Sequence, residues 1–285
     1  MFGRWLRHAQ PRLATRRQLT TTTQALSESS VSSVSSASPE SSVSAAELDK
    51  FARISDQWWD PQGAFKYLHT MNAPRVQFIR QTLLAAKPTL RGLRAVDVGC
   101  GGGLAAERLA RLGLATLGID AAPESIRVAR AHAQADPLLN VAYRETTAEA
   151  LARDAPRFDA VVSLEVIEHV RDAAQFVRSL VELAAPGALV FVSTMNRTPL
   201  SWLVDVALPE HVLRVVPRGT HDWRKFVAPA ELRDMLRAAG AEPVDCRGLV
   251  LDPLRNRCHL VDCDFGLLRN AGVQANYIMA ARKHG

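Results

Sequence analysis

The chain has 285 residues, 47% of them hydrophobic, and a formal net charge of +6. Arg4, Arg7, Arg12, Arg16 and Arg17 against the single acid Glu28 put +4 of that charge in the first 30 residues, leaving +2 for all the rest. This argues against a diffusely basic body built to bind nucleic acid, and the absence of any run of roughly 18 apolar residues argues against a transmembrane span.

The opening stretch, MFGRWLRHAQPRLATRRQLTTTTQALS, is rich in Arg and hydroxyl residues and lacks an acid before Glu28. That composition is the one expected of a mitochondrial transit peptide over residues 1–30, and no continuous apolar core of a secretory signal accompanies it. Residues 31–44 are mostly Ser, Ala and Val, too poor in large apolar surface to offset chain entropy, and predict a disordered linker. An ordered domain is expected over 45–285. Its first segment, AAELDKFARISDQWWD, has Leu48, Phe51, Ile54 and Trp58 at helical spacing and is ended by Pro61-Gln62-Gly63. A second helix is predicted from about Pro74 to Ala86.

Strands then alternate with helices. Short apolar strands are predicted at Ala95–Val98, Ala115–Ile119, Val141–Tyr143, Ala160–Ser163, Leu189–Ser193, Pro243–Arg247 and Asn276–Ala281. Helices fall at Leu104–Leu112, Pro123–Ala133, Ala173–Ala184 and Pro229–Ala239. Such alternation implies βαβ units and a doubly wound, mostly parallel, seven-stranded Rossmann-like α/β sheet. Four cysteines (Cys100, Cys246, Cys258, Cys263) show no disulfide framework, which suits a reducing compartment. The run from Cys258-His259 to Cys263 has no second pair at zinc-site spacing.

The first strand leads into D-V-G-C-G-G-G (Asp97 to Gly103) and a helix follows. Glycines there permit a tight turn and a close ligand approach. Strand two ends in G-I-D, placing Asp120 about 20 residues on, where a carboxylate can accept hydrogen bonds from both hydroxyls of a ribose. The dinucleotide fingerprint needs Gly or Ala at its sixth position, but that position is Leu104, and Asp97 is a poor neighbour for phosphate. Asp97 can instead attract a cationic amino-acid group. A nucleoside joined to an amino acid, without phosphate, fits S-adenosylmethionine.

After strand four comes S-L-E-V-I-E-H-V (Ser163 to Val170). Glu165, Glu168 and His169 stand at spacings of three and four, so a helical turn would bring all three onto one face. Either a cation sits there or the groups are solvated beside a packed helix.

Several separated stretches together resemble the ubiquinone-biosynthesis O-methyltransferase family: D-Q-W-W-D-P-Q-G-A-F-K-Y-L-H, M-N-A-P-R, V-D-V-G-C-G-G-G, S-L-E-V-I-E-H-V, S-T-M-N-R-T and V-P-R-G-T-H-D-W, spanning about residues 47–281. The resemblance implies methylation of ring hydroxyls on polyprenylated catechols, with cofactor contacts at Arg75, Gly99, Asp120 and Leu164. It also implies Mg²⁺ bound by Glu165, Glu168 and His169. A divalent ion chelated by the catechol would stabilise its phenolate and orient it, although histidine is a less usual ligand for magnesium. Many methyltransferases that use no metal carry a similar turn; in that case His169 becomes a candidate general base. His221 and Asp222 are second choices for a base, or they cap a helix and hold a loop.

Between strand five and the next helix lies an insert of about 196–226 whose middle, PLSWLVDVALPEHVLRVVP, is largely apolar. It predicts either an amphipathic element resting on a membrane surface, where a prenyl tail is extracted, or a lid on its own domain. The expected setting is the matrix face of the mitochondrial inner membrane, peripherally bound, within a larger assembly. A methyltransferase acting on mitochondrial RNA or protein, and a cofactor-binding scaffold without turnover, are the alternatives.

Overall fold

The computed structural model of the protein describes residues 42, 49, 52–154, 156–203, 206–207, 222–252, 255–262 and 275–285. Parallel strands β1 (Arg94–Val98), β2 (Ala115–Asp120), β3 (Val141–Glu145), β4 (Phe158–Leu164) and β5 (Ala184–Met195) are followed by β6 (Ala241–Asp252), β7 (Arg257–Asp262) and β8 (Asn276–Lys283). They form one eight-stranded sheet in the order β3-β2-β1-β4-β5-β8-β6-β7. Strand β8 runs antiparallel to β5, and β6 and β7 continue antiparallel.

The expected α/β class stands, with one strand more than predicted. Strand β7 escapes an apolar pattern because it lies at the sheet edge with Arg257, His259 and Asp262 exposed. Cys258 and His259 are neighbours on that strand and so point to opposite faces, which removes them as a shared ligand pair; Cys263 lies outside the described residues. Strand β6 carries a bulge at Pro243, whose missing N–H cannot join the ladder.

Helices cover both faces. On one side, α1 (Lys66–Ala86), α2 (Leu104–Arg111) and α3 (Pro123–Ala133) pack on the sheet; on the other lie α4 (Ala148–Arg153), α5 (Ala173–Leu183) and α6 (Pro229–Ala238). The strands divide their residues by the period of two. Val96, Val98, Val161, Val190 and Val192 meet Phe176, Leu180, Leu232 and Leu236, while Ala95, Ala160, Val162, Leu189 and Phe191 meet Phe78, Ile79, Leu83 and Leu109.

Helix α1 begins eight residues before the predicted start and holds Pro74 in its interior. Its packing overrides the missing hydrogen bond, since Met71, Asn72, Arg75, Phe78 and Ile79 are all buried. In the segment before it Asp49 and Ala52 are helical, and the chain then makes a 3₁₀ turn at Ser55–Gln57 and further turns that set Trp58 and Trp59 against the glycine loop. Ser42, within the serine-rich stretch, is buried, and both its backbone N–H and its hydroxyl donate to Glu149.

Candidate active site

Because β2 lies on one side of β1 and β4 on the other, the sheet order reverses at β1 and opens a crevice at the strands' carboxyl ends. Every sequence-predicted site residue within the described residues, apart from Arg75 and Asp222, sits at or just beyond one of those ends. The loop after β1 is anchored by two hydrogen bonds from the Gly99 and Cys100 N–H groups to the Ile119 carbonyl, at 2.8 and 2.9 Å. Asp120 then clamps it: one carboxylate oxygen accepts from Gly101 N–H at 2.9 Å and the other from Ala122 N–H at 2.8 Å. These two N–H groups oppose the effect of burial, which raises the proton affinity of Asp120.

The glycines need a different explanation from ligand approach alone. Gly99 has φ +73°, and a Cβ there would lie 2.4 Å from Val166 Cγ2; Gly101 has φ +52°, and a Cβ would lie 2.3 Å from the Trp58 ring. Protein side chains therefore fill the space next to these Cα atoms. Trp58 is stacked on Phe65 with centroids 3.7 Å apart and donates to Ser125 Oγ, while Trp59 Nε1 donates to the Gly102 carbonyl at 2.9 Å. The tryptophan pair is thus the cover of the loop, a role that spacing alone reads only as core.

The acidic turn also departs from expectation. Glu165 N–H donates to the Ser193 carbonyl at 2.9 Å, continuing the β4–β5 ladder, and Glu165 leaves the strand with φ +58°. Only Ile167–His169 is helical, and it is a 3₁₀ turn. A left-handed residue followed by a tighter helix breaks the i, i+3, i+4 face that the spacing implied. Glu165 Oε1 accepts from Arg75 Nη1 at 3.0 Å and from Ser193 Oγ at 2.7 Å. Glu168 Oε2 accepts from Thr194 Oγ1 at 2.9 Å, whereas its Oε1 is buried without a partner. His169 is half-buried. Among the described residues no three His, Cys, Asp or Glu side chains are gathered as a metal site, so the expected Glu165–Glu168–His169 set does not converge here.

The remaining predicted residues divide. Arg75 is buried beside the acidic turn, and Leu164 ends β4 with its side chain packed toward the Phe78–Phe191 cluster. Asp222 is exposed and caps the turn Trp223–Lys225 by accepting from Arg224 N–H at 3.1 Å; His221 lies outside the described residues. Ser193 and Thr194, which hold the two glutamates, were missed individually. Their signal was a hydroxyl pair ending an otherwise apolar strand.

Burial pushes Asp97 up to about 7, aided by the charge of Asp120 and opposed by the Ala106 N–H and by Arg75. Burial and then the Glu165 charge likewise raise Glu168 to about 7, against His169 and Thr194. Unpartnered polar atoms in folded interiors are few, yet Asn72 Oδ1, Arg75 Nε, Asp97 Oδ2 and Glu168 Oε1 are all unpartnered around this crevice. Such a collection fits a polar, charged ligand.

A family model described as "Methyltransferase domain" matches residues 67–245. A ubiquinone biosynthesis O-methyltransferase of Cereibacter sphaeroides is 45% identical over 221 residues, covering 75% of this chain and 89% of its own. The mitochondrial ubiquinone biosynthesis O-methyltransferase of Arabidopsis thaliana is 43% identical over 230 residues, covering 78% of this chain and 71% of its own. The chain belongs to the ubiquinone biosynthesis O-methyltransferase family.

The fold agrees with magnesium protoporphyrin IX methyltransferase from Synechocystis PCC 6803 with bound SAH, at a TM-score of 0.56 and 20% identity over 84% of this chain and 95% of that one. A possible histamine N-methyltransferase from Thermotoga maritima gives a TM-score of 0.58 at 18% identity, covering 83% of this chain and 99% of that one. This member of the family is an enzyme that takes its methyl group from S-adenosylmethionine, whose sulfonium makes the methyl carbon electrophilic.

The enzyme's apo state should show the Asp97 shift as a pH dependence. With a folded-state value near 7 against 3.8 unfolded, the folded protein keeps a proton that the unfolded chain releases. The stabilisation is therefore complete below 3.8 and is lost as pH rises to about 7. Thermal melts across that window are expected to show a smaller decline in Asp97→Asn than in the unsubstituted enzyme. Equal slopes would show that Asp97 is ionised in the folded state.

Proposed function

We propose that this enzyme methylates catechol hydroxyls of ubiquinone precursors, namely 3,4-dihydroxy-5-polyprenylbenzoate and demethylubiquinol, in the mitochondrion. Support comes from the names of the relatives at 42–45% identity and from one structural observation that carries the reading. Asn72, Arg75, Asp97 and Glu168 each keep a buried polar atom without a partner, the kind of group that a charged cofactor and a hydroxylated acceptor would satisfy. On this reading Asp120 accepts from the ribose hydroxyls, Arg75 pairs with the methionine carboxylate, and Asp97 receives the ammonium group. Gly99 and Leu164 border the nucleoside with their backbone. The ring oxygen attacks the methyl carbon, the carbon–sulfur bond breaks, and the electron pair stays on sulfur to give S-adenosylhomocysteine. The hydroxyl proton passes to His169 when no metal is held at the acidic turn, and to His221 or Asp222 when one is.

Magnesium is part of the proposal at a finer level. The donor types fit a hard cation, two carboxylates with one buried oxygen unpartnered, but the three groups do not converge, and Glu165 is held by Arg75 and Ser193. When bound, a divalent ion would favour the phenolate form of the acceptor. A membrane surface as partner is supported by Leu200, Trp202 and Leu203, large apolar residues left exposed at the start of the insert. No described helix is long and apolar enough to cross a membrane. The first 30 residues, by composition, are proposed to be the presequence, residues 31–44 a linker, and the rest the methyltransferase domain.

The test uses the full chain with methyl-labelled cofactor and prenylated dihydroxybenzoate, before and after chelation and with Mg²⁺ restored. Label is expected on a ring oxygen, lost on chelation and regained with magnesium. Label appearing only in mitochondrial RNA or protein would overturn the substrate assignment. Undiminished transfer after chelation would overturn the metal alone.

A further inference from the structure

We propose that Asn72 is a cofactor-binding residue, its side-chain oxygen accepting a hydrogen bond from the ammonium group of S-adenosylmethionine. The inference rests on the cofactor reading above and extends it to a residue that neither spacing nor resemblance singled out.

Asn72 is 4% exposed and stands three residues before Arg75 on α1, so the two share a helix face. Its amide nitrogen donates to the Leu104 carbonyl at 2.7 Å. A carbonyl can only accept, so the orientation of the amide is settled: nitrogen toward Leu104, oxygen away from it. That oxygen is buried and has no partner.

Asp97 lies beside the same helix turn, two residues further along. The Ala106 N–H opposes the rise in its proton affinity, and its Oδ2 is buried and unpartnered. Leu104 and Ala106 both belong to the first turn of α2, directly after the glycine loop. One idle acceptor is therefore tied to this turn of helix and a second lies beside it, and Arg75, whose Nε is an idle donor, lies close enough for its charge to act on Asp97.

The set is complementary to an α-amino acid zwitterion. An ammonium group brings three donors and no acceptor, and its carboxylate brings acceptors only. A purely structural role, tying α1 to α2, accounts for the nitrogen of Asn72 and leaves its oxygen unexplained. Folded proteins leave few such atoms unsatisfied.

The experiment compares two ligands by calorimetry: S-adenosylhomocysteine, which carries the amino-acid end, and 5′-methylthioadenosine, which lacks it. Asn72→Ala is expected to weaken S-adenosylhomocysteine roughly 10- to 100-fold and to leave 5′-methylthioadenosine unchanged. Equal weakening of both ligands, or of neither, overturns the proposal. Should Asn72→Ala fail to fold, Asn72→Asp removes the donor to Leu104 but keeps an acceptor. It is expected to retain the preference for S-adenosylhomocysteine even with a lowered melting temperature, and loss of that preference counts against Asn72. Failure of the unsubstituted enzyme to take up S-adenosylhomocysteine would instead refute the cofactor reading.

Discussion

Asp120→Asn is expected to weaken S-adenosylmethionine binding about 100-fold, as two charge-assisted hydrogen bonds are disrupted at once. The carboxylate of Asp120 has two duties at one strand end. It accepts from the N–H groups of Gly101 and Ala122, which hold the glycine loop and the entrance to α3, and its remaining lone pairs are the acceptors proposed for the ribose. An amide has one oxygen, so in asparagine the NH₂ must face either a backbone N–H or the sugar hydroxyls. Calorimetry with the cofactor product and with its 2′-deoxy analogue separates the two duties. The unsubstituted enzyme should favour the ribose form, and Asp120→Asn should lose that preference along with affinity. A variant that kept both would show that Asp120 serves the loop only.

Arg75→Ala is expected to lower the unfolding free energy by about 3 kcal/mol, the lower end of the range for breaking a buried ion pair. The Arg75 side chain is 3% exposed and that of Glu165 is 11% exposed. Removing the guanidinium leaves Glu165 with the Ser193 hydroxyl and a little solvent, which is why the lower end applies. Removing both charges, in Arg75→Ala with Glu165→Ala, should cost less than the sum of the two single changes, because no unpaired carboxylate remains. Denaturant unfolding of the four proteins measures this coupling, and strict additivity would exclude it. Arg75→Lys should recover part of the stability but little of the cofactor affinity, since an ammonium group cannot reproduce the planar set of donors.

How much of this could be seen in the sequence depends on the distance along the chain over which each feature is decided. The strand–loop–helix unit around Asp97–Gly103 and the acid ending β2 were legible because each is set by a few contiguous residues. Apolar runs bounded by Gly, Pro or Asp marked the central strands for the same reason. Strand β7 was not legible, since an edge strand with exposed, charged residues carries no apolar run. Nor was the start of α1, where burial of Asn72 and Arg75 outweighs the local signal of Pro74.

Residue chemistry alone determined that this chain makes an α/β sheet with a glycine loop and a strand-end acid at its carboxyl edge, because turn-forming glycines and strand-end acids act within their own peptide neighbourhood. Only the tertiary structure decided what those residues touch. Trp58 reaches over Gly101, Val166 packs on Gly99, and Arg75 engages Glu165. These partners come from α1, the segment before it and the turn after β4, and their meeting depends on helix and strand packing that no local pattern records.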